Sequence, residues 1–125
     1  MMEGWGIVAE IIRETTEAEI LPRWRRLKKH QIHEKGPGNL VTEADWESER
    51  VLTRRLSELL PGSAVVGEEA VAVDPTILDR LKGEAPVWVV DPLDGTNNFA
   101  HHRPVFGVIV ALAVSTTVSI VVLRQ

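Results

Sequence analysis

The chain has 125 residues, 18 acidic against 14 basic side chains, a formal charge of −4 and no cysteine. The lack of cysteine excludes a disulfide scaffold, a thiolate zinc site and a cysteine nucleophile, and an apolar fraction of 44% with 26% charged residues excludes wholesale disorder. The acidic balance argues against a dedicated nucleic-acid binder, the N-terminal MMEGWGIVAE has no signal-peptide pattern, so a cytoplasmic protein is expected, and the length suits one domain.

The first element reads as a helix. Val8, Ile11, Ile12, Thr15 and Ala18 recur at threes and fours, and Leu21, Trp24 and Leu27 continue at threes. Pro22 lies inside that pattern and is expected to kink the helix or split it, because it lacks an N–H. Arg23, Arg25, Arg26, Lys28 and Lys29 form a basic cluster. With Trp24 among them they could make a stacking surface for nucleic acid. The acidic remainder of the chain favours a solvated helix face near a helix C-terminus, where the macrodipole stabilises cations.

Lys35-Gly36-Pro37-Gly38-Asn39 reads as a loop. A second helix follows. Thr42 is its candidate N-cap, with Asp45 at capping-box spacing and Val41 and Trp46 at the two positions of a hydrophobic staple. Ala44, Ser48, Leu52, Leu56 and Leu59 line one face, and Pro61-Gly62 ends it.

Beyond Gly62 the periodicity changes. Ala64 to Gly67 reads as a short apolar strand running into Glu68-Glu69, Asp74-Pro75 opens a helical turn through Leu78 and Leu81, and Pro86 to Val90 reads as a buried strand running into Asp91. Val105 to Leu123 is nineteen residues without a charge, long enough for a membrane helix. Eleven of the nineteen are Val, Ile or Thr, and Ser115-Thr116-Thr117 interrupts the middle. Two antiparallel strands joined there are therefore expected instead of a membrane span.

The informative feature is where the carboxylates fall. Two apolar strands each end on acid, at Glu68-Glu69 and at Asp91-Pro92-Leu93-Asp94. If the strands are neighbours, four carboxylates gather at one sheet edge, and bound protons, basic partners or metal cations must offset their repulsion. An all-oxygen cluster suits a hard cation, Mg²⁺ first and Mn²⁺ or Ca²⁺ next. Gly95 permits close backbone approach, and Thr96 and Asn97 could begin a helical turn whose N–H groups face an anion. Metal carboxylates beside an anion-binding backbone are what phosphate-ester hydrolysis needs. Each dipeptide alone is an ordinary turn former; it is the conjunction that points to a site.

The segment Asp91-Pro92-Leu93-Asp94-Gly95-Thr96-Asn97-Asn98-Phe99 after an apolar strand resembles the signature of the inositol monophosphatase family, Mg²⁺-dependent and often lithium-sensitive phosphatases. Asn39 to Asp45, Val66-Gly67-Glu68-Glu69 and Trp88-Val89-Val90 agree in order and spacing, and the resemblance runs from the first helix to Leu123. It implies an α+β fold: two N-terminal helices packed on a mostly antiparallel sheet, the N-terminal part of a layered αβαβα sandwich.

For the site, the resemblance implies that Glu68 and Asp91 hold a first Mg²⁺ with the carbonyl of Leu93, and that Asp91 and Asp94 share a second, within a family site of two or three ions. Glu69 would lie near the catalytic water, and Asp45 and Thr96 would orient and deprotonate it. Asp94, Gly95 and Thr96 would contact the substrate phosphate, and Lys35 matches a loop lysine near the metals. His101 and His102 are expected to be structural or surface residues, since this metal chemistry does not need histidine.

Two departures stand beside the resemblance. Nothing in the chain matches the family's later Trp-Asp motif, which supplies another metal-binding aspartate, and the turn at Ser115-Thr116-Thr117 lacks the usual glycine. The expectation is therefore residues 1–125 as the N-terminal metal-binding domain of a phosphomonoesterase without the C-terminal domain, of low or no activity alone. The alternative is a non-catalytic metal-binding fragment serving as an interaction domain. The expected partner is a small phosphorylated substrate: inositol phosphate, histidinol phosphate, a sugar bisphosphate or a phosphoadenosine compound. A homodimer is possible by resemblance, and neither nucleic acid nor membrane is expected as a partner.

Overall fold

The computed structural model describes residues 2–115 and 117–124. Helix α1 (Met2–Thr15) buries Val8, Ile11 and Ile12. At its end the hydroxyls of Thr15 and Thr16 donate back to the carbonyls of Ile11 (2.7 Å) and Ile12 (2.8 Å). The chain there widens into a π turn, Thr16–Ile20, and then tightens into a 3-10 turn, Leu21–Arg23, that takes in Pro22.

The helix does not continue to Leu27 as the periodicity suggests. Trp24 leaves in extended backbone (ψ 127°) and Arg25 is left-handed (φ 64°). The basic cluster is therefore spread over two 3-10 turns, which hold Arg23 and Lys29, and the irregular chain between them, instead of lying on one helix face. Trp24 is no free stacking platform: its ring packs on Phe106 at 5.7 Å between centroids, and Arg25 covers it at 5.0 Å. Arg23 bonds the carbonyl and carboxylate of Glu19, both at 2.9 Å.

Strands β1 (Ile32–Gly36) and β2 (Asn39–Thr42) form an antiparallel hairpin, with Ile32 opposite Thr42 and Glu34 opposite Leu40. The expected loop is thus only the tip, at Pro37-Gly38, where Gly38 has φ 72°. Helix α2 (Glu43–Leu59) follows without a break.

A second sheet has the order β3-β4-β5-β6, built from β3 (Ala64–Gly67), β4 (Val87–Asp94), β5 (Gly107–Val114) and β6 (Thr117–Arg124). β3 and β4 are parallel, and the other two pairs are antiparallel. Between β3 and β4 run the short helix α3 (Glu68–Val73) and a 3-10 segment, Pro75–Lys82, capped by Asp74. Helix α4 (Thr96–Ala100) links β4 to β5.

The uncharged C-terminal run is the β5–β6 hairpin. Its turn includes Ser115 (φ 54°), and Thr116 lies outside the described residues. Among the described residues no helix is long and apolar enough to cross a membrane.

The architecture is α+β, with α1 and α2 packed together on one face of a mostly antiparallel sheet. Alternation along the strands directs Trp88, Val90, Val108, Val110 and Leu112 into that core, against Ile12 from α1 and Ala44, Leu52 and Leu56 from α2. The opposite face leaves Val89, Ile120 and Val122 exposed. Leu52 is fully buried at the centre of the α2 stripe. Leu52→Ala is expected to destabilise the fold by about 2–5 kcal/mol, read by urea denaturation.

Candidate functional site

Register builds the site. In the parallel β3–β4 pair Gly67 lies opposite Val90, so Glu68 and Asp91, the next residues of each strand, emerge at the same edge. β4 continues through Pro92 and Leu93 to Asp94, and its pairing with β5 is irregular between Asp91 and Asp94. Pro92 has no N–H to give the ladder, which suits such an interruption. The chain then turns at Gly95 (φ 90°), where a Cβ would stand 2.7 Å from the Val105 carbonyl oxygen, so only glycine fits.

Helix α4 is anchored by Phe99, which is fully buried and packs edge-on against Phe106 at 5.0 Å. Asn98 donates to the Val105 carbonyl (2.9 Å), and Asn97 reaches the hairpin tip, donating to the Gly38 carbonyl (3.0 Å). This tie brings the β1–β2 hairpin, and Lys35 with it, over the carboxylates. Lys35, Glu68, Asp91, Leu93, Asp94 and Thr96 line one open cleft, together with Gly95 and Asn97.

Asp45 lies behind that cleft, fully buried in the first turn of α2. Its Oδ2 accepts from the Thr42 N–H (2.8 Å) and the Thr42 hydroxyl (2.7 Å), the carboxylate half of a capping box. Its Oδ1 faces the Thr96 hydroxyl at 2.8 Å, which also approaches the Leu93 carbonyl at 2.9 Å. A hydroxyl carries one proton, so Thr96 cannot fully satisfy both acceptors. Burial raises the Asp45 pKa, and the bonds from Thr42 and Thr96 oppose that rise. Asp45 is thus both a helix cap and the group that holds Thr96.

Glu69 is also buried. Its Oε1 accepts from Lys35 Nζ at 3.0 Å, and its Oε2 has no partner among the described residues. Burial pushes its pKa up to about 7 against the bond from Lys35. Lys35 also stands 3.6 Å from the half-exposed Glu68. His101 and His102 are exposed, and neither lines the cleft.

Asp91 carries the sharpest electrostatic signal. Its pKa is raised by burial, then by a hydrogen bond with Glu68 and the charges of Glu68 and Asp94. Its Oδ1 is buried without a partner among the described residues. Three carboxylates and one carbonyl are hard oxygen donors, and a divalent cation would relieve the strain they share. In donor chemistry they fit Mg²⁺. Among the described residues no three acidic or imidazole side chains converge into a ready-made cage.

One site residue escaped the sequence: Glu49. It lies one turn after Asp45 on the buried face of α2, and its carboxylate accepts from the N–H groups of Glu69 (2.8 Å) and Ala70 (2.9 Å). The available signal was its position, i+4 from Asp45 and beside the Ser48–Leu52 stripe. Asn97 lies at the helical start that the sequence suggests, but its tie to Gly38 has no signal in the spacing.

The family model described as the inositol monophosphatase family matches residues 7–125. The chain belongs to the inositol monophosphatase family. It is 40% identical over 82 residues to an inositol-1-monophosphatase of Mesorhizobium japonicum, covering 66% of this chain and 29% of that protein. It is 31% identical over 111 residues to inositol monophosphatase 1 of Bos taurus, covering 88% of this chain and 35% of that one. Its fold is that of the extragenic suppressor protein SuhB from Bartonella henselae, with TM-score 0.79 at 24% identity over 96% of this chain and 44% of that one. The chain thus spans about a third of the length of these two curated family members.

The bond from Thr96 to Asp45 joins α4 to α2 across the site. Thr96→Val is expected to cost about 1–3 kcal/mol by leaving a buried carboxylate oxygen unpaired. Thr96→Ser, which keeps the hydroxyl, should cost clearly less; urea denaturation compares the two.

Proposed function

We propose that this chain is the metal-binding part of a Mg²⁺-dependent phosphomonoesterase acting on inositol 1-phosphate or a related small phosphate ester. The observation that carries the proposal is the sheet-edge cleft that Glu68, Asp91 and Asp94 line, with one buried Asp91 oxygen lacking a partner among the described residues. The names of the family members to which the chain is similar support the reaction class.

Glu68, Asp91 and Asp94 would hold Mg²⁺, with the Leu93 carbonyl as a further donor. Bound Mg²⁺ supplies Lewis-acid polarisation of the phosphoryl oxygens, a more acidic water and charge neutralisation of the leaving oxygen. Thr96 presents its hydroxyl at the cleft, and the buried Asp45 behind it takes up proton density from it at 2.8 Å. That pair is suited to orient an attacking water and receive its proton. The backbone N–H groups of Gly95 and Thr96, at the start of α4, would bind the phosphate. Lys35 holds Glu69 in place and adds positive charge to the wall of the cleft.

The alternative is a second function that uses the same donors, Glu68, Asp91 and Asp94, which line the cleft. On that reading the chain binds the cation without turnover and acts as an interaction domain. The two separate in one assay. Phosphate release from inositol 1-phosphate that requires Mg²⁺ and is abolished by EDTA supports the enzyme. Mg²⁺ binding without release supports the second function. In an active protein Asp94→Asn is expected to lower phosphate release by about 10²-fold or more, a loss of several kcal/mol of charge stabilisation. Release that the substitution leaves unchanged contradicts the ligand assignment.

A further inference from the structure

Helix α3 has six residues, too few to hold its own direction, since isolated helices shorter than about 12–15 residues are marginal in water. It nevertheless begins with Glu68. Something outside the helix must therefore set where Glu68 leaves β3. The Glu49 carboxylate takes that place, one oxygen on the Glu69 N–H at 2.8 Å and the other on the Ala70 N–H at 2.9 Å. Gly67 makes the approach possible, because a Cβ there would stand 2.6 Å from both Glu49 oxygens.

The other arm leaves the same helix one turn earlier, where Asp45 holds Thr96 at the start of α4. Residues four apart lie on one helix face. A single face of α2 is thus pinned to both strand ends that carry the carboxylates, to the β3 end by Glu49 and to the β4 end by Asp45.

We propose that Glu49 is a positioning residue for the cation site: through the Glu69 and Ala70 amides it fixes the backbone of Glu68 at a set distance from Asp91 and Asp94. The proposal rests on the metal assignment above. Glu49 does not touch the cleft, which Lys35, Glu68 and Asp91 line without it. Its effect passes through the peptide groups on either side of Glu69. Glu68 is half exposed, so its side chain gains little order from packing and depends on where its backbone is held.

The test measures Mg²⁺ binding calorimetrically, with amide hydrogen exchange at Glu69 and Ala70 as a readout independent of metal. Glu49→Gln keeps the shape but turns one acceptor into an N–H₂ donor facing an N–H. It is expected to raise the Mg²⁺ dissociation constant by about 10-fold or more, as loss of an outer partner of a metal ligand does, and to speed exchange at one or both amides. Gly67→Ala reaches the same carboxylate from the other side and should reproduce both effects. Leu52→Ala, one turn along α2, is the control. It should lower stability at least as much yet leave the dissociation constant of the folded protein within about 2-fold, since the Leu52 side chain has no polar atom and gives neither arm a hydrogen bond.

Mg²⁺ affinity unchanged in Glu49→Gln, or weakened equally by Leu52→Ala, would overturn the proposal. The same holds if the Glu69 and Ala70 amides stay protected in both site variants. If the unaltered protein binds no Mg²⁺, the metal assignment itself falls and takes this inference with it, an outcome distinct from unaltered binding that the variants fail to change.

Discussion

The parallel pairing of β3 with β4 is the constraint on which the site depends. Parallel strands run in one direction, so their C-terminal ends share an edge, and both continue there into acidic residues, Glu68 and Asp91. An antiparallel pair would have sent the acids to opposite ends of the sheet. A parallel pair also requires a crossover connection, and here α3 and the 3-10 segment supply it, with α3 starting at Glu68 itself. The crossover is therefore part of the site as well as a link.

The second feature is the polar character of a buried helix face. Asp45, Ser48 and Glu49 are buried along α2 among Ala44, Leu52 and Leu56. Buried carboxylates are costly unless bonded. Here each is bonded at least twice, Asp45 to Thr42 and Thr96, and Glu49 to two backbone amides. An apolar α2 would pack the core more simply but would leave α3 and α4 untied. Local departures from the simplest packing are what a preorganised site requires.

Much of this was legible in the sequence. Thr42 and Asp45 at capping-box spacing marked the start of α2, which forms there, and the apolar runs before Glu68 and Asp91 became neighbouring strands. The β-branched residues and the break at Ser115 identified a hairpin where length alone allowed a membrane helix. Other parts had no local signal. The β1–β2 hairpin hides in Ile32-His33-Glu34-Lys35-Gly36, which has neither clean alternation nor a β-branched run, and is held by the Asn97 tie from 57 or more residues away. Pro22, which lacks an N–H, marks where the first helix gives way, but the apolar spacing at threes that persists to Leu27 carries no helix, because the Thr15 and Thr16 back-bonds and Pro22 unwind it. Glu49 was invisible because a glutamate in a charged helix looks solvated until its partners, twenty residues on, are seen.

The central claim is that the carboxylates at this sheet edge form a hard-cation site. The most direct measurement is a crystal structure of the protein grown with Mn²⁺, with the ion located by its anomalous scattering. The account predicts a Mn²⁺ peak bonded to Asp91 and at least one of Glu68 and Asp94. No peak at that edge, with Mn²⁺ bound only at surface carboxylates elsewhere, would contradict it.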